Sequence, residues 1–385
     1  MPAGRHFLQI PGPSNVPDRV LHALARPTID HRGPAFGELG KRVLADVREV
    51  FRTSQPVVIY PASGTGAWEA ALVNTLSPGD GVLIHVAGHF AALWARMADR
   101  LGLDVEVIEG DWRRGVDAGQ VRERLASDPE RFKAVAVVHN ETATGVTNDV
   151  SAVRRAIDDA GSDALLLVDA VSSLGSIDYR HDEWGVDVTV CGSQKGLMLP
   201  PGLAFNAISA KARAASATAR MPRAYWDWED MLANADAGFF PYTPATNLLY
   251  GLEVALELLR EEGLEAVFAR HARHAEATRR AVDHWGLELW ASEPAERSDV
   301  LTVVLMPDDH DADRVREIAL DRFDLSLGTG LAHLKGRVFR IGHLGDLNDL
   351  MLAGTLAGVE AALGLAEVPI RTGGVETAMA YLAAH

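Results

Sequence analysis

Two residues set the chemistry open to this chain, Asp169 and Lys195, each standing at the end of an apolar run. Asp169 directly follows Leu165-Leu166-Leu167-Val168. A carboxylate there can keep a heteroaromatic ring nitrogen protonated, and it can equally serve as a helix cap. Lys195 sits in Cys191-Gly192-Ser193-Gln194-Lys195-Gly196. Small neighbours at a strand end allow a lysine to be desolvated and to act as an amine nucleophile, although most lysines are solvated surface groups. A third element is Ser63-Gly64-Thr65-Gly66, inside the turn from Pro61 to Glu69. Its small residues let the backbone approach an anion, and the helix that begins there aims free N–H groups at it, which makes a phosphate cradle. Such a string also serves as plain turn chemistry, and the third glycine of the dinucleotide fingerprint is missing. The loop His139-Asn140-Glu141-Thr142-Ala143-Thr144-Gly145 offers two hydroxyls at another strand end. Phe90, after Ala87-Gly88-His89, can cover a ring or simply join the core.

These residues need elements to carry them. Seven short β-rich runs are read at Pro56–Tyr60, Val82–His85, Val105–Ile108, Ala134–Val138, Leu165–Val168, Val186–Val190 and Leu203–Ile208, with helical periodicity between them. Several are continuously apolar, as strands covered on both faces must be. The pattern is that of an α/β chain with a large doubly wound domain and a mostly parallel seven-stranded sheet, in which ligands bind beyond the carboxyl ends of the strands. A long helix is predicted from Pro244 to Glu262, stopped by Gly263. Beyond it come a helix over Ala269–Trp285, a strand at Val300–Leu305, a helix at Ala312–Asp321, strands at Leu325–Gly328 and Val338–Ile341, and a closing helix at Leu347–Leu363. This gives a smaller C-terminal α+β domain, with residues 1–260 as the N-terminal segment and large domain and 261–385 as the small one.

The chain of 385 residues carries 37 Lys and Arg against 53 Asp and Glu, a net charge of −16, with no basic run to track a phosphate backbone. Nucleic acid is therefore not expected as a partner. An anionic ligand has to be held by a few local donors against the overall field. The single cysteine, Cys191, excludes an intrachain disulfide and a cysteine-based metal cluster; no metal site is expected, and a reducing compartment is. Met1–Val20 has no apolar leader, no stretch has the length of a membrane span, and Tyr381–His385 matches no retention address, so a cytoplasmic protein without a membrane partner is expected.

The motifs Ser63-Gly64-Thr65-Gly66, Glu141-Thr142-Ala143-Thr144-Gly145, Val168-Asp169-Ala170-Val171-Ser172-Ser173 and Gly192-Ser193-Gln194-Lys195-Gly196 occur in that order. Together they resemble class V aminotransferases of pyridoxal-phosphate (PLP) fold type I, the aspartate aminotransferase-like fold, and within them the serine-glyoxylate and alanine-glyoxylate group. Pro11-Gly12-Pro13-Ser14-Asn15-Val16-Pro17, Pro241-Tyr242-Thr243-Pro244 and Phe339-Arg340-Ile341-Gly342-His343 extend the resemblance over nearly the whole chain. It implies pyridoxal 5'-phosphate as cofactor, joined to Lys195 as a Schiff base with Asp169 on the pyridinium, these two being the catalytic residues. Ser63, Gly64, Thr65 and Gln194 would hold the phosphate, Thr142 the ring oxygen, and Val171 and Phe90 the ring faces. Thr243 would come from the partner subunit of a homodimer with shared active sites, and Arg340 would bind the substrate carboxylate.

The activity implied is a ping-pong transfer of an amino group from a small L-amino acid, serine first and alanine second, to glyoxylate. Glycine and a 2-oxo acid, hydroxypyruvate or pyruvate, are the products. Ala245-Thr246-Asn247 departs from the family's pattern at the edge of the substrate site. The stretch Thr28-Ile29-Asp30-His31-Arg32 is shared with relatives that use aspartate, so aspartate-glyoxylate transamination is the alternative. A PLP lyase of the cysteine-desulfurase kind needs a mobile thiol, which Cys191 in a buried strand does not offer. A catalytically silent homologue is opposed by the joint presence of Lys195, Asp169 and Arg340.

Overall fold

The structure, a computed structural model, describes residues 4–385; Met1–Ala3 of the expected N-terminal segment lie outside the described residues. The seven predicted strands form one sheet in the order Val57–Tyr60, Ala204–Ile208, Val188–Gly192, Leu165–Asp169, Phe132–Val138, Gly81–Val86, Asp104–Glu109. Only Ala204–Ile208 runs antiparallel to its neighbours. The other pairings from Asp104–Glu109 across to Val188–Gly192 are parallel.

Continuous apolar runs are explained by the period of two. In Leu165–Asp169, Leu166 and Val168 enter one core with the helices Pro34–Phe51 and Thr246–Glu262, while Leu165 and Leu167 enter another with Gly64–Thr75 and His89–Arg100. Each fully buried Val or Leu there contributes about 1.5 to 3 kcal/mol. Because the strands are parallel, their carboxyl ends share one edge. Ser63, Phe90, Thr142, Asp169 and Lys195, far apart in sequence, follow the ends of five strands that run the same way in this sheet, with the antiparallel Ala204–Ile208 between the first and the last of them in chain order.

A second sheet has the order Phe7–Gln9, Leu325–Thr329, Val338–Gly342, Leu301–Leu305, Glu288–Leu289. The first of these strands was not anticipated: three residues carry too little pattern, and the parallel pairing of Phe7–Gln9 with Leu325–Leu327 spans most of the chain. It has a consequence for the site. The segment after it is pressed against Val338–Gly342, where a Cβ on Gly342 would lie 2.2 Å from the Ile10 carbonyl oxygen. From there Pro11 and Gly12 pass over Lys195.

Several helices differ from expectation: the one read over Ala269–Trp285 spans Leu264–Trp285, the one read over Leu347–Leu363 spans Asp349–Leu365, and two further differences have a physical reason. The long helix begins at Thr246 rather than Pro244, because Tyr242 stacks on Tyr225 at 4.3 Å and Ala245 keeps a ψ of 73° outside the helical range. An additional helix, Gly374–Ala384, follows Asp349–Leu365. Its Ala-rich sequence hides the periodicity, and it is fixed by Glu360, whose carboxylate accepts from the Gly373 and Gly374 N–H groups at 3.0 and 2.9 Å and from the Trp285 indole at 2.7 Å. Among the described residues, no helix is long and apolar enough to cross a membrane, and no group of His, Cys, Asp or Glu is arranged to hold a metal ion.

Candidate active site

At the shared strand edge lies a cleft of about 160 Å³. Its walls bring together nine of the residues singled out in the sequence: Ser63, Gly64, Thr65, Phe90, Thr142, Asp169, Val171, Gln194 and Lys195. Arg340 stands just beside it. This side chain is only 7 % exposed, and its Nη1 donates to the Thr142 carbonyl oxygen at 2.8 Å while its Nε donates to the Thr329 carbonyl oxygen at 2.8 Å. Two carbonyls thus fix the guanidinium, and its remaining N–H groups are open to a carboxylate. Thr243 is the exception, since it is exposed and outside this cleft.

The phosphate-cradle reading can be tested on the backbone. The turn after Val57–Tyr60 enters the helix Gly64–Thr75 with Ser63 as its N-cap, but the Ser63 side chain makes no capping bond. The N–H groups of Gly64 and Thr65 find no hydrogen-bond partner among the described residues. Gly64 is required for closeness: a Cβ there would sit 2.6 Å from Val171 Cγ2. The Gln194 Oε1 is buried and unpartnered in the same corner. Unsatisfied N–H groups at a helix start suit a phosphate.

Lys195 is half-buried as a residue, with its amine end enclosed in the cleft and its Nζ donating to the Pro11 carbonyl oxygen. Burial lowers its pKa to about 8, the neighbouring Arg340 charge adds to this, and Asp169 opposes it. Ser14 ties the N-terminal segment down, its Oγ donating to the Lys195 carbonyl at 2.9 Å and its N–H to the Gln194 carbonyl at 3.0 Å. Gly12 is needed beneath this strap, because its φ is +93° and a Cβ would fall 2.4 Å from Lys195 Cδ.

Asp169 accepts the Val171 N–H on Oδ1 at 2.7 Å and the Trp68 indole N–H on Oδ2 at 3.0 Å. Burial raises its pKa to about 6, against the pull of those two donors and of Lys195. Glu141 is buried as well and raised to about 7 by burial; it accepts from the Phe90 and Ala91 N–H groups at 3.0 and 3.3 Å, joining the helix that carries Phe90 to the loop that carries Thr142. The Thr142 hydroxyl donates to Ser172 Oγ at 2.8 Å. Cys191 is wholly buried, and burial pushes its thiol far above the usual range, so it is no nucleophile.

Sequence reasoning missed several residues at this cleft. Gly12, Pro13, Trp68, Asn140 and Ser172 also line it, and Glu141 backs it. All lie inside the quoted motifs, so motif membership was the available signal, but which members face inward depends on strand order.

A cleft with an anion cradle, a buried amine, a buried carboxylate and an adjacent arginine on this fold defines a PLP-type site. The aminotransferase class-V signature matches residues 6–332. The chain is 49% identical to a serine–glyoxylate aminotransferase of Methylorubrum extorquens, covering 98% of this chain and 96% of that one. It is 47% identical to an L-aspartate–glyoxylate aminotransferase of Paracoccus denitrificans over 94% here and 92% there, by the respective chain lengths covered. Among solved structures, pyridoxamine-pyruvate aminotransferase from Mesorhizobium loti superimposes with a TM-score of 0.94 at 30% identity, over 100% of this chain and 99% of that one. The chain belongs to the class V aminotransferase family, and its cofactor is pyridoxal 5'-phosphate.

The amine can be titrated directly. In the cofactor-free protein, acylation of Lys195, followed by peptide mass mapping, should rise with pH to a half-maximum near pH 8, because only the neutral amine reacts and burial favours that form. A half-maximum at the ordinary lysine value of about 10.4 would show the amine to be solvated.

Proposed function

We propose that this enzyme transfers the amino group of a small L-amino acid, serine first and alanine second, to glyoxylate, forming glycine and hydroxypyruvate or pyruvate in two half-reactions. The observation that carries the reading is the meeting of the Lys195 amine, Asp169, the Ser63–Thr65 cradle and Arg340 at one cleft. The likeness to the Methylorubrum serine–glyoxylate enzyme over nearly the full length supports the donor and acceptor. Aspartate is the second reading, supported by the Paracoccus relative.

In this reading Ser63, Gly64, Thr65 and Gln194 hold the cofactor's phosphate, Asp169 its ring nitrogen and Thr142 its ring hydroxyl, with Val171 and Phe90 on the ring faces. When bound, the cofactor supplies an electron sink for the pair left at the substrate's Cα. Lys195, neutral in a substantial fraction near pH 8, takes the Cα proton as general base and returns a proton in the second half-reaction. The Pro11 carbonyl gives its amine a resting partner. Arg340 grips the α-carboxylate of the donor and then that of glyoxylate, and the two carbonyls on its other N–H groups keep the fork aligned.

Further parts of the reading concern assembly. Thr243, exposed and outside its own cleft, supports a homodimer in which each copy completes the other's phosphate site. Two sheets with separate hydrophobic cores support two domains divided near residue 260, with the strand Phe7–Gln9 reaching across to the second sheet. The single, buried Cys191 fits a cytoplasmic setting.

Glycine formation from glyoxylate with a panel of serine, alanine and aspartate tests the donor. Serine should give the highest kcat/KM; a preference for aspartate would move the assignment to the second reading, and no glycine with any donor would remove it. Arg340→Lys should raise the KM for donor and glyoxylate together by about tenfold to a hundredfold, because a point charge replaces a fork. Loss of cofactor with unchanged KM values would place Arg340 in the cofactor's site instead.

A further inference from the structure

Resting on the cofactor reading above, we propose that Trp68 is a positioning residue for the cofactor's ring nitrogen: its indole N–H aligns the Asp169 carboxylate that meets that nitrogen. Trp68 is 3 % exposed and Asp169 is 4 % exposed, so this bond lies out of water. The indole Nε1 donates to Asp169 Oδ2 at 3.0 Å, and the Val171 N–H donates to Oδ1 at 2.7 Å.

The chemistry of these two donors gives the bond its meaning. An indole N–H and a backbone N–H can donate but not accept, so neither offers a place for a proton on Asp169. Both therefore favour the ionised carboxylate, which is the form that pairs with a protonated ring nitrogen, against the burial that raises Asp169 toward the neutral form. Each oxygen keeps further lone-pair capacity for the ring. Donors on two different elements, a helix and the turn after a strand, fix the plane of the carboxylate as one donor cannot.

The indole is itself held. Trp68 stacks on Trp94 with ring centroids 5.7 Å apart and planes 13° apart, and it meets Phe90 edge-on at 6.5 Å and 64°. Trp68 also stands on the helix Gly64–Thr75 whose first turn forms the phosphate cradle. One rigid helix thus addresses both ends of the cofactor, the phosphate through Gly64 and Thr65 and the ring nitrogen through Trp68 and Asp169. An indole that only walled the cleft would have no reason to place its one polar atom on this carboxylate.

The test compares two probes on the cofactor-free protein. One is pyridoxal phosphate; the other is its carbocyclic analogue, with C–H in place of the ring nitrogen. Dissociation constants are measured for wild type and Trp68→Phe, which keeps an aromatic ring and removes the donor. The expected result is that Trp68→Phe weakens pyridoxal phosphate by about tenfold to a hundredfold and leaves the analogue within about twofold. The unchanged analogue also reports that the variant is folded. Equal weakening of both probes, or of neither, would overturn the proposal. If wild type bound neither probe, the cofactor reading itself would fail and the proposal with it.

Discussion

A lysine amine and a carboxylate are kept dry at the bottom of one cleft, and each is shifted toward its neutral form by the same burial: Lys195 falls to about 8 and Asp169 rises to about 6. In water the amine would be protonated and unreactive near neutrality, whereas the carboxylate needs its ionised form and is held toward it by its donors against that burial. Much of the remaining structure serves this pairing. The five parallel strand ends deliver the groups, the N-terminal strap from Pro11 to Ser14 covers the amine, and Trp68 and Val171 give the carboxylate its donors. The positive charge of Arg340 depresses the amine further while remaining available to a substrate carboxylate; burial lowers Arg340 itself only to about 10, so it stays charged.

The cleft also shows how an acidic protein accommodates anions. With a net charge of −16 the long-range field repels them, yet the cradle at the start of Gly64–Thr75 and the buried Arg340 act within a few ångströms, where local donors in a poorly solvated space outweigh a screened distant field. Glu141 contributes by joining the helix that bears Phe90 to the loop that bears Thr142. The ring-covering wall and the polar loop are therefore one unit.

Much of this was legible in the sequence because its signals are local. Short β-rich runs, several of them continuously apolar, marked all seven strands of the large sheet, and polar residues just after them marked the cleft. What was not legible depends on contacts between distant segments. Phe7–Gln9 is too short to carry a pattern and exists as a strand through Leu325–Leu327. Trp68 falls within the turn from Pro61 to Glu69 and was not singled out, because its part in the site rests on the bond its indole makes to Asp169, 101 residues away. Asn140 and Ser172 read as loop residues until they are seen bonded to each other, with the Asn140 amide donating to Ser172 Oγ at 2.9 Å. The helix Gly374–Ala384 was hidden by its small residues, whose fixing partner, Glu360, belongs to another helix.

The most direct measurement on the central claim is a covalent map of the cofactor. The protein is loaded with pyridoxal 5'-phosphate, treated with borohydride to make the link permanent, digested, and its peptides weighed. The account predicts the added phosphopyridoxyl mass on Lys195 at near-unit occupancy and absent from Lys41, Lys133, Lys211 and Lys335. Label on one of those lysines in place of Lys195, or no stable label at all, would contradict it.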